Sequence, residues 1–323
     1  MIGNANHNKV ALTRCDNYTN QSVSDAIKDQ FELLGGLGKF VKRCETVLIK
    51  PNLIAPRSPE IPAQTNPTVI VELARLLIDF GARPFVGDSS AWTNAGVCIK
   101  ALGIESELKK LGVPVKNLTK AKKCKLDSSF KPVPISVAAL EADKIINLPK
   151  FKAHKQLVAT FAIKNMFGCV SGKRKALYHF SKGKNENRFC KFLVDIYRRL
   201  GPAVTIIDAV TAMQGLGPIG GEPRRLNLLI GSVDPVACEK VCAELVGLDC
   251  SQLPILRTAK QIGFGSWNGE QIEIVGEKID DFVCDDFVFP QLVPIRFSFG
   301  QVCKSISKQA VLLTRAAIGG KKK

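Results

Sequence analysis

Two tryptophans, three tyrosines and three histidines are all that 323 residues contain. Few side chains are therefore available to stack on unpaired bases, and no recognised nucleic-acid module occurs, so sequence-specific RNA or DNA reading is disfavoured. No apolar run approaches the ~18 to 20 residues that a membrane-spanning helix requires. The start, MIGNANHNKVALTRC, lacks the apolar centre of a secretory signal, which makes a cytoplasmic protein the expectation. Among eleven cysteines there is no Cys-x2-Cys pair, which leaves a zinc ribbon unsupported. The cysteines are scattered and odd in number, and are expected to be reduced thiols acting as small buried hydrophobes. The glycine-rich segment GLGPIGG at 215–221 lacks both G-x-G-x-x-G and the P-loop lysine, so it carries no nucleotide fingerprint. Acids are also scarce: 29 Asp and Glu face 46 Lys and Arg, a formal charge of +17. That excess implies small anions, polyanions or an anionic membrane surface as partners.

What is present reads as an α/β fold with a largely parallel sheet, flanking helices and a short C-terminal appendage. Strand-like apolar runs at 46–49, 84–87, 144–147, 203–207 and 271–275 alternate with helical patterns. Asn66-Pro67 and Asp234-Pro235 each combine a cap residue with proline at the first helical position, and Gly81 ends the first of these helices. Further helices are predicted over 94–111, 154–167 and 187–200, with Gly168 as the cap of the middle one. Residues 1–279 are expected to form the α/β domain and 280–323 the appendage, with a basic amphipathic helix at 304–318 and a lysine tail.

Four polar clusters fall just past predicted strands: Lys50-Pro51-Asn52, Asp88-Ser89, Asn147-Leu148-Pro149-Lys150, and Asp208. Proline and asparagine also turn chains for purely structural reasons. All four at one sheet edge, however, predict a crevice of the kind in which open parallel sheets bind ligands. The stretch 147–191 reinforces this, because eleven Lys and Arg are set among phenylalanines and other apolar residues, with Glu186 the only acid. Cations held against apolar surface need a counter-ion to offset desolvation. A sheltered pocket for a small anion follows.

These residues, with Lys164-Asn165-Met166-Phe167-Gly168, Lys175, His179, Gly217-Pro218 and Asp234-Pro235-Val236-Ala237, resemble the DUF362 family over about 9–276. The resemblance implies an α/β fold with a shared central site. Many members carry a ferredoxin-like module that binds [4Fe-4S] clusters. Here Cys238-x3-Cys242 followed by Cys250 lacks the spacing of such a module, and a bound cluster is not expected. A looser pattern, a lysine-rich helix with a glycine turn and a following histidine, is similar to the nickel-pincer lactate racemases and assigns no cofactor.

Lys164, His154 and His179 are the candidate catalytic groups, since lysines nearby favour neutral imidazoles that act as bases. Lys50, Asn52, Asp88, Lys150, Lys152, Asn165, Lys175 and Asp208 are the candidate substrate-binding groups. Asp88 and Asp208 are also candidates to orient a histidine, pair with a lysine or hold a divalent metal. Three readings stand: an enzyme acting on a small carboxylate or phosphate, a nucleic-acid binder using 147–191, and an electron-transfer or metallocofactor-assembly protein.

Overall fold

The computed structural model describes residues 8–90, 93–126, 130–171, 178, 185–267 and 272–295. Its strands are β1 (Lys9–Arg14), β2 (Thr46–Pro51), β3 (Arg83–Asp88), β4 (Val115–Asn117), β5 (Ala121–Cys124), β6 (Val133–Ser136), β7 (Lys144–Leu148), β8 (Lys150–His154), β9 (Val158–Thr160), β10 (Val204–Gln214), β11 (Glu222–Ser232) and β12 (Glu273–Gly276). The helices are α1 (Asn20–Leu33), α2 (Pro67–Phe80), α3 (Ala95–Ala101), α4 (Glu105–Lys110), α5 (Val137–Glu141), α6 (Ala162–Asn165), α7 (Glu186–Leu200), α8 (Pro235–Glu244) and α9 (Pro254–Gln261).

The main sheet runs β12-β1-β11-β10-β7-β2-β3-β4, with β8 branching from β10 and β9 pairing β8; β5 and β6 form a separate pair. Along that main path only β11 is antiparallel to its neighbours. The expected α/β architecture with a largely parallel sheet is what the chain adopts.

Alternation along the strands divides the interior into two cores. Val47 and Ile49 face a layer containing α1 and α2, while Leu48 faces a layer containing α7 and α8. A strand buried on both faces reads as a near-continuous apolar run, which is why β2 was legible. The cap devices work as read: Asn66 accepts from the Thr68 amide, Gly81 ends α2 at φ 92°, and Asp234 accepts from the amides of Val236 and Ala237.

Two expectations are corrected. The predicted helix 154–167 is instead the β8–β9 hairpin followed by the short α6 and a 3-10 turn at Met166–Cys169. Gly168 thus lies within the turn and caps nothing. Asp208 does not end its strand: β10 continues to Gln214 through a bulge between Ala209 and Thr211. Of the C-terminal segment, Phe282, Cys284, Phe287 and Ile295 pack into the core shared with α7 and α8, and 296–323 lie outside the described residues.

Candidate functional site

Strand register brings the polar clusters together. Lys50 on β2 lies beside Asn147 on β7, and Asp208 on β10 lies beside Lys150 on β8. On β8 the side-chain period of two puts Lys150, Lys152 and His154 on one face, opposite the core residues Phe151 and Ala153.

Two hydrogen-bonded networks result. In the first, Lys152 Nζ donates to Asn52 Oδ1 at 2.7 Å, Asn52 Nδ2 donates to Asn165 Oδ1 at 3.1 Å, and Lys50 Nζ reaches the same oxygen at 3.5 Å. Lys50 is itself paired with Asp88 Oδ1 at 2.9 Å. The Asp88 carboxylate also accepts from the Leu53 and Ser89 amides. Asn165 Nδ2 donates to the Lys50 carbonyl and to Asn147 Oδ1, tying α6 to β2 and β7.

Gly168 makes this geometry available. A Cβ there would stand 2.2 Å from Asp88 Oδ1 and 2.6 Å from Lys50 Nζ. The glycine is required by close approach to an ion pair, a role distinct from the expected helix cap.

In the second network, Lys150 Nζ lies 2.8 Å from Asp208 Oδ2 and donates to the Tyr18 hydroxyl at 2.8 Å. Tyr18 donates to Asp208 Oδ1 at 2.7 Å and accepts from the Thr211 amide, while the Asn66 amide donates to Asp208 Oδ2. Burial and the neighbouring Asp208 charge hold the Tyr18 phenol well above its ordinary pKa. Tyr18 was not a candidate in the sequence. It is one aromatic in a loop, and its partner is 190 residues away. Tyr18, Gln64, Thr65, Asn66, Lys150 and Thr211 line a cavity of about 160 Å³. Gln64 Oε1 is buried there without a hydrogen-bond partner.

Lys50, Lys150 and Lys152 are 0%, 2% and 2% exposed. The first two face carboxylates, whereas Lys152 donates to Asn52 Oδ1, the Ala63 carbonyl and, at 3.4 Å, the Pro218 carbonyl. Burial, then the charges of Lys164 and Lys150, push the Lys152 amine well below its ordinary pKa. Burial also lowers Lys150, against the opposing effect of Asp208. Folding therefore releases a proton from Lys152 wherever the pH lies between its folded value and the unfolded lysine value near ~10.4. In that window the unfolded chain binds more protons, so stability rises with pH. Lys152→Met is expected to flatten the rise, which urea unfolding of both proteins at neutral and mildly alkaline pH would measure; an unchanged slope would show that Lys152 is ordinary.

His154 is buried, and its Nδ1 accepts from the Gln156 amide at 3.1 Å. In the neutral ring this places the proton on Nε2. Lys164 sits in the last turn of α6, near enough to Lys152 to depress it. The first turn of α6 is held by the buried Glu239, whose Oε1 accepts from the Ile163 amide at 2.7 Å. Burial pushes that carboxyl up to about 8. Lys175 and His179 lie outside the described residues.

The donor sets argue against a metal at these carboxylates. Asp88 and Asp208 are occupied by lysines, amides and Tyr18. Among the described residues no group of three or more His, Cys, Asp or Glu is placed to hold an ion. Cys238 and Cys242 are both buried in α8, and burial raises the Cys242 thiol well above its ordinary pKa.

Comparison with known proteins gives the family. The model described as "Domain of unknown function (DUF362)" matches residues 47–244. The thylakoid-associated protein sll1697 of Synechocystis sp. (strain ATCC 27184 / PCC 6803 / Kazusa) is 34% identical over 300 residues, covering 93% of each chain. Among solved structures, the lactate racemase apoprotein from Thermoanaerobacterium thermosaccharolyticum is similar at a TM-score of 0.48 and 13% identity, covering 73% of this chain; this chain spans 57% of that one. With most of its length matched by the family model and almost all of it by the cyanobacterial relative, the chain belongs to the DUF362 family.

Proposed function

We propose that this protein is a cytoplasmic enzyme acting on a small carboxylate or phosphate at the lysine- and histidine-rich edge of its sheet. One observation carries the reading. Three fully buried lysines face two carboxylates, and the remaining charge, on Lys152, is surrounded by neutral oxygens. Those three acceptors match the three N–H groups of an ammonium, yet burial and like charge oppose that ammonium. A bound anion resolves the conflict, because its charge raises the Lys152 pKa and restores the protonated form.

Lys150 supports the same reading. It has two described acceptors for three N–H groups and lines the cavity, so its third donor is available to a ligand oxygen. In this reading Lys152 and Lys150 supply the charge that holds the anion, Lys50 and Asp88 fix the frame beneath it, and His154 or Lys164 transfers a proton.

Thermal unfolding of the full chain with a panel of small carboxylates and phosphates tests the proposal. At least one is expected to raise the Tm, and Lys152→Ala is expected to abolish that rise, whereas replacing Lys321, Lys322 and Lys323 with alanine leaves it intact. Equal losses from the two variants would point to diffuse electrostatics. Tight nucleic-acid binding that persists at physiological salt would overturn the enzyme reading, because phosphate-tracking contacts weaken steeply as salt rises.

A further inference from the structure

The walls of the 160 Å³ cavity ask for more than an anion. Lys150 keeps one N–H for a ligand oxygen, which suits a carboxylate. Gln64, in the same wall, asks for the opposite. It is 3% exposed, and its Nε2 donates to the Arg57 carbonyl at 3.3 Å, which fixes Oε1 as the end left without a donor among the described residues. A buried acceptor without a partner is costly, and in a cavity wall a ligand N–H or O–H relieves that cost.

Charge selects between those two donors. Among the described residues the lining contains one basic side chain, Lys150, and one carboxylate, Glu60. Lys150 is already matched by the buried Asp208. Glu60 is exposed and takes part in no ion pair among the described residues. A bare carboxylate entering the cavity would set three negative groups, its own with Asp208 and Glu60, against Lys150. A ligand with its own ammonium brings the missing cation.

We propose that this cavity takes a small aliphatic amino acid, with the carboxylate on Lys150 and the ammonium directed to Gln64 Oε1 and Glu60. Pro59, Ile61, Pro62, Pro67 and Leu102 supply an apolar wall for its hydrocarbon. The volume falls below the ~300 to 1,000 Å³ of pockets for drug-sized ligands, so a nucleotide or a peptide exceeds it. The inference rests on the small-carboxylate reading above and narrows it to a zwitterion.

Titration calorimetry of the full chain with 2-aminobutyrate, 2-hydroxybutyrate, butyrate and inorganic phosphate tests the proposal, since the first three share one skeleton and differ only at C2. The amino acid is expected to bind about tenfold tighter than butyrate, with the hydroxy acid between them, because a hydroxyl serves Gln64 but leaves Glu60 without a cation. Glu60→Gln is expected to weaken 2-aminobutyrate about threefold without weakening butyrate. Glu222→Gln, at an exposed acid outside the lining, leaves both unchanged. Gln64→Met, checked for the parent's circular dichroism and urea midpoint, should erase the advantage of both substituted acids; should that variant fail to fold, the exposed Glu60 still decides. Butyrate binding as tightly as 2-aminobutyrate, or a preference that a folded variant at Glu60 or Gln64 leaves intact, would overturn the inference while the small-anion reading stands. Binding of none of the four ligands would also overturn it, and only silence of the wider thermal panel would take the small-anion reading with it.

Discussion

Lys50→Met is expected to destabilise the protein by about 3–5 kcal/mol, the range for breaking a buried ion pair from one side. The Lys50 side chain is 0% exposed and that of Asp88 5%. Removing the ammonium leaves a carboxylate that, among the described residues, keeps hydrogen bonds from the Leu53 and Ser89 amides. Adding Asp88→Asn to Lys50→Met removes the stranded charge and should recover part of the loss. Urea unfolding of the three proteins measures both effects. A single-variant cost below about 1 kcal/mol, typical of solvent-exposed pairs, would mean that water reaches this pair and that the site is far more open than its burial indicates.

Gly168→Ala is expected to cost about 3 kcal/mol or more, at or above the upper end for overpacking. The added methyl would collide with Asp88 Oδ1 and Lys50 Nζ, and neither can retreat without breaking the pair. The carbonyl of Gly168 also accepts from the Ser89 amide at 3.0 Å, so moving the turn aside breaks a second contact with the Asp88 strand end. Gly220→Ala serves as the comparison. Its nearest neighbour would be 3.6 Å away, and its cost should stay within about 0.5 kcal/mol. Similar losses at both positions would refute a steric role for Gly168.

Much of the fold was legible because its signals are local. β2, β3 and β7 are short, doubly buried runs, and α2 and α8 open with the cap-and-proline device. Lys50, Asn52 and Asp88 follow from those elements, since knowing where a parallel strand ends tells where its polar residues gather. The β8–β9 hairpin was misread for an equally physical reason. Ala153, Leu157 and Phe161 recur every four residues as on a helix face, but they are buried here on a hairpin and the turns that follow it. The chain reverses with Val158 at φ 64°, a conformation that a β-branched residue gives no reason to expect. Tyr18 was invisible because its role comes entirely from contacts distant in sequence. The burial of cations was anticipated and a lysine was one of the partners expected for Asp88 and Asp208, but part of the neutralisation assigned to a ligand comes from these two carboxylates within the chain.

Asp208 gathers donors from Tyr18, Asn66 and Lys150, which precede it by 190, 142 and 58 residues. Contacts of such sequence separation form only after large loops have closed, and their entropy cost makes them late and slow. The Asp208 centre therefore reports completion of folding. A partly folded or truncated chain can acquire the α1–α2 layer or the β10–β11 hairpin while still lacking any competent site. An N-terminal fragment that ends before β10 lacks Asp208, so the contacts that join Tyr18, Asn66 and Lys150 arise only once the centre of the sheet is in place.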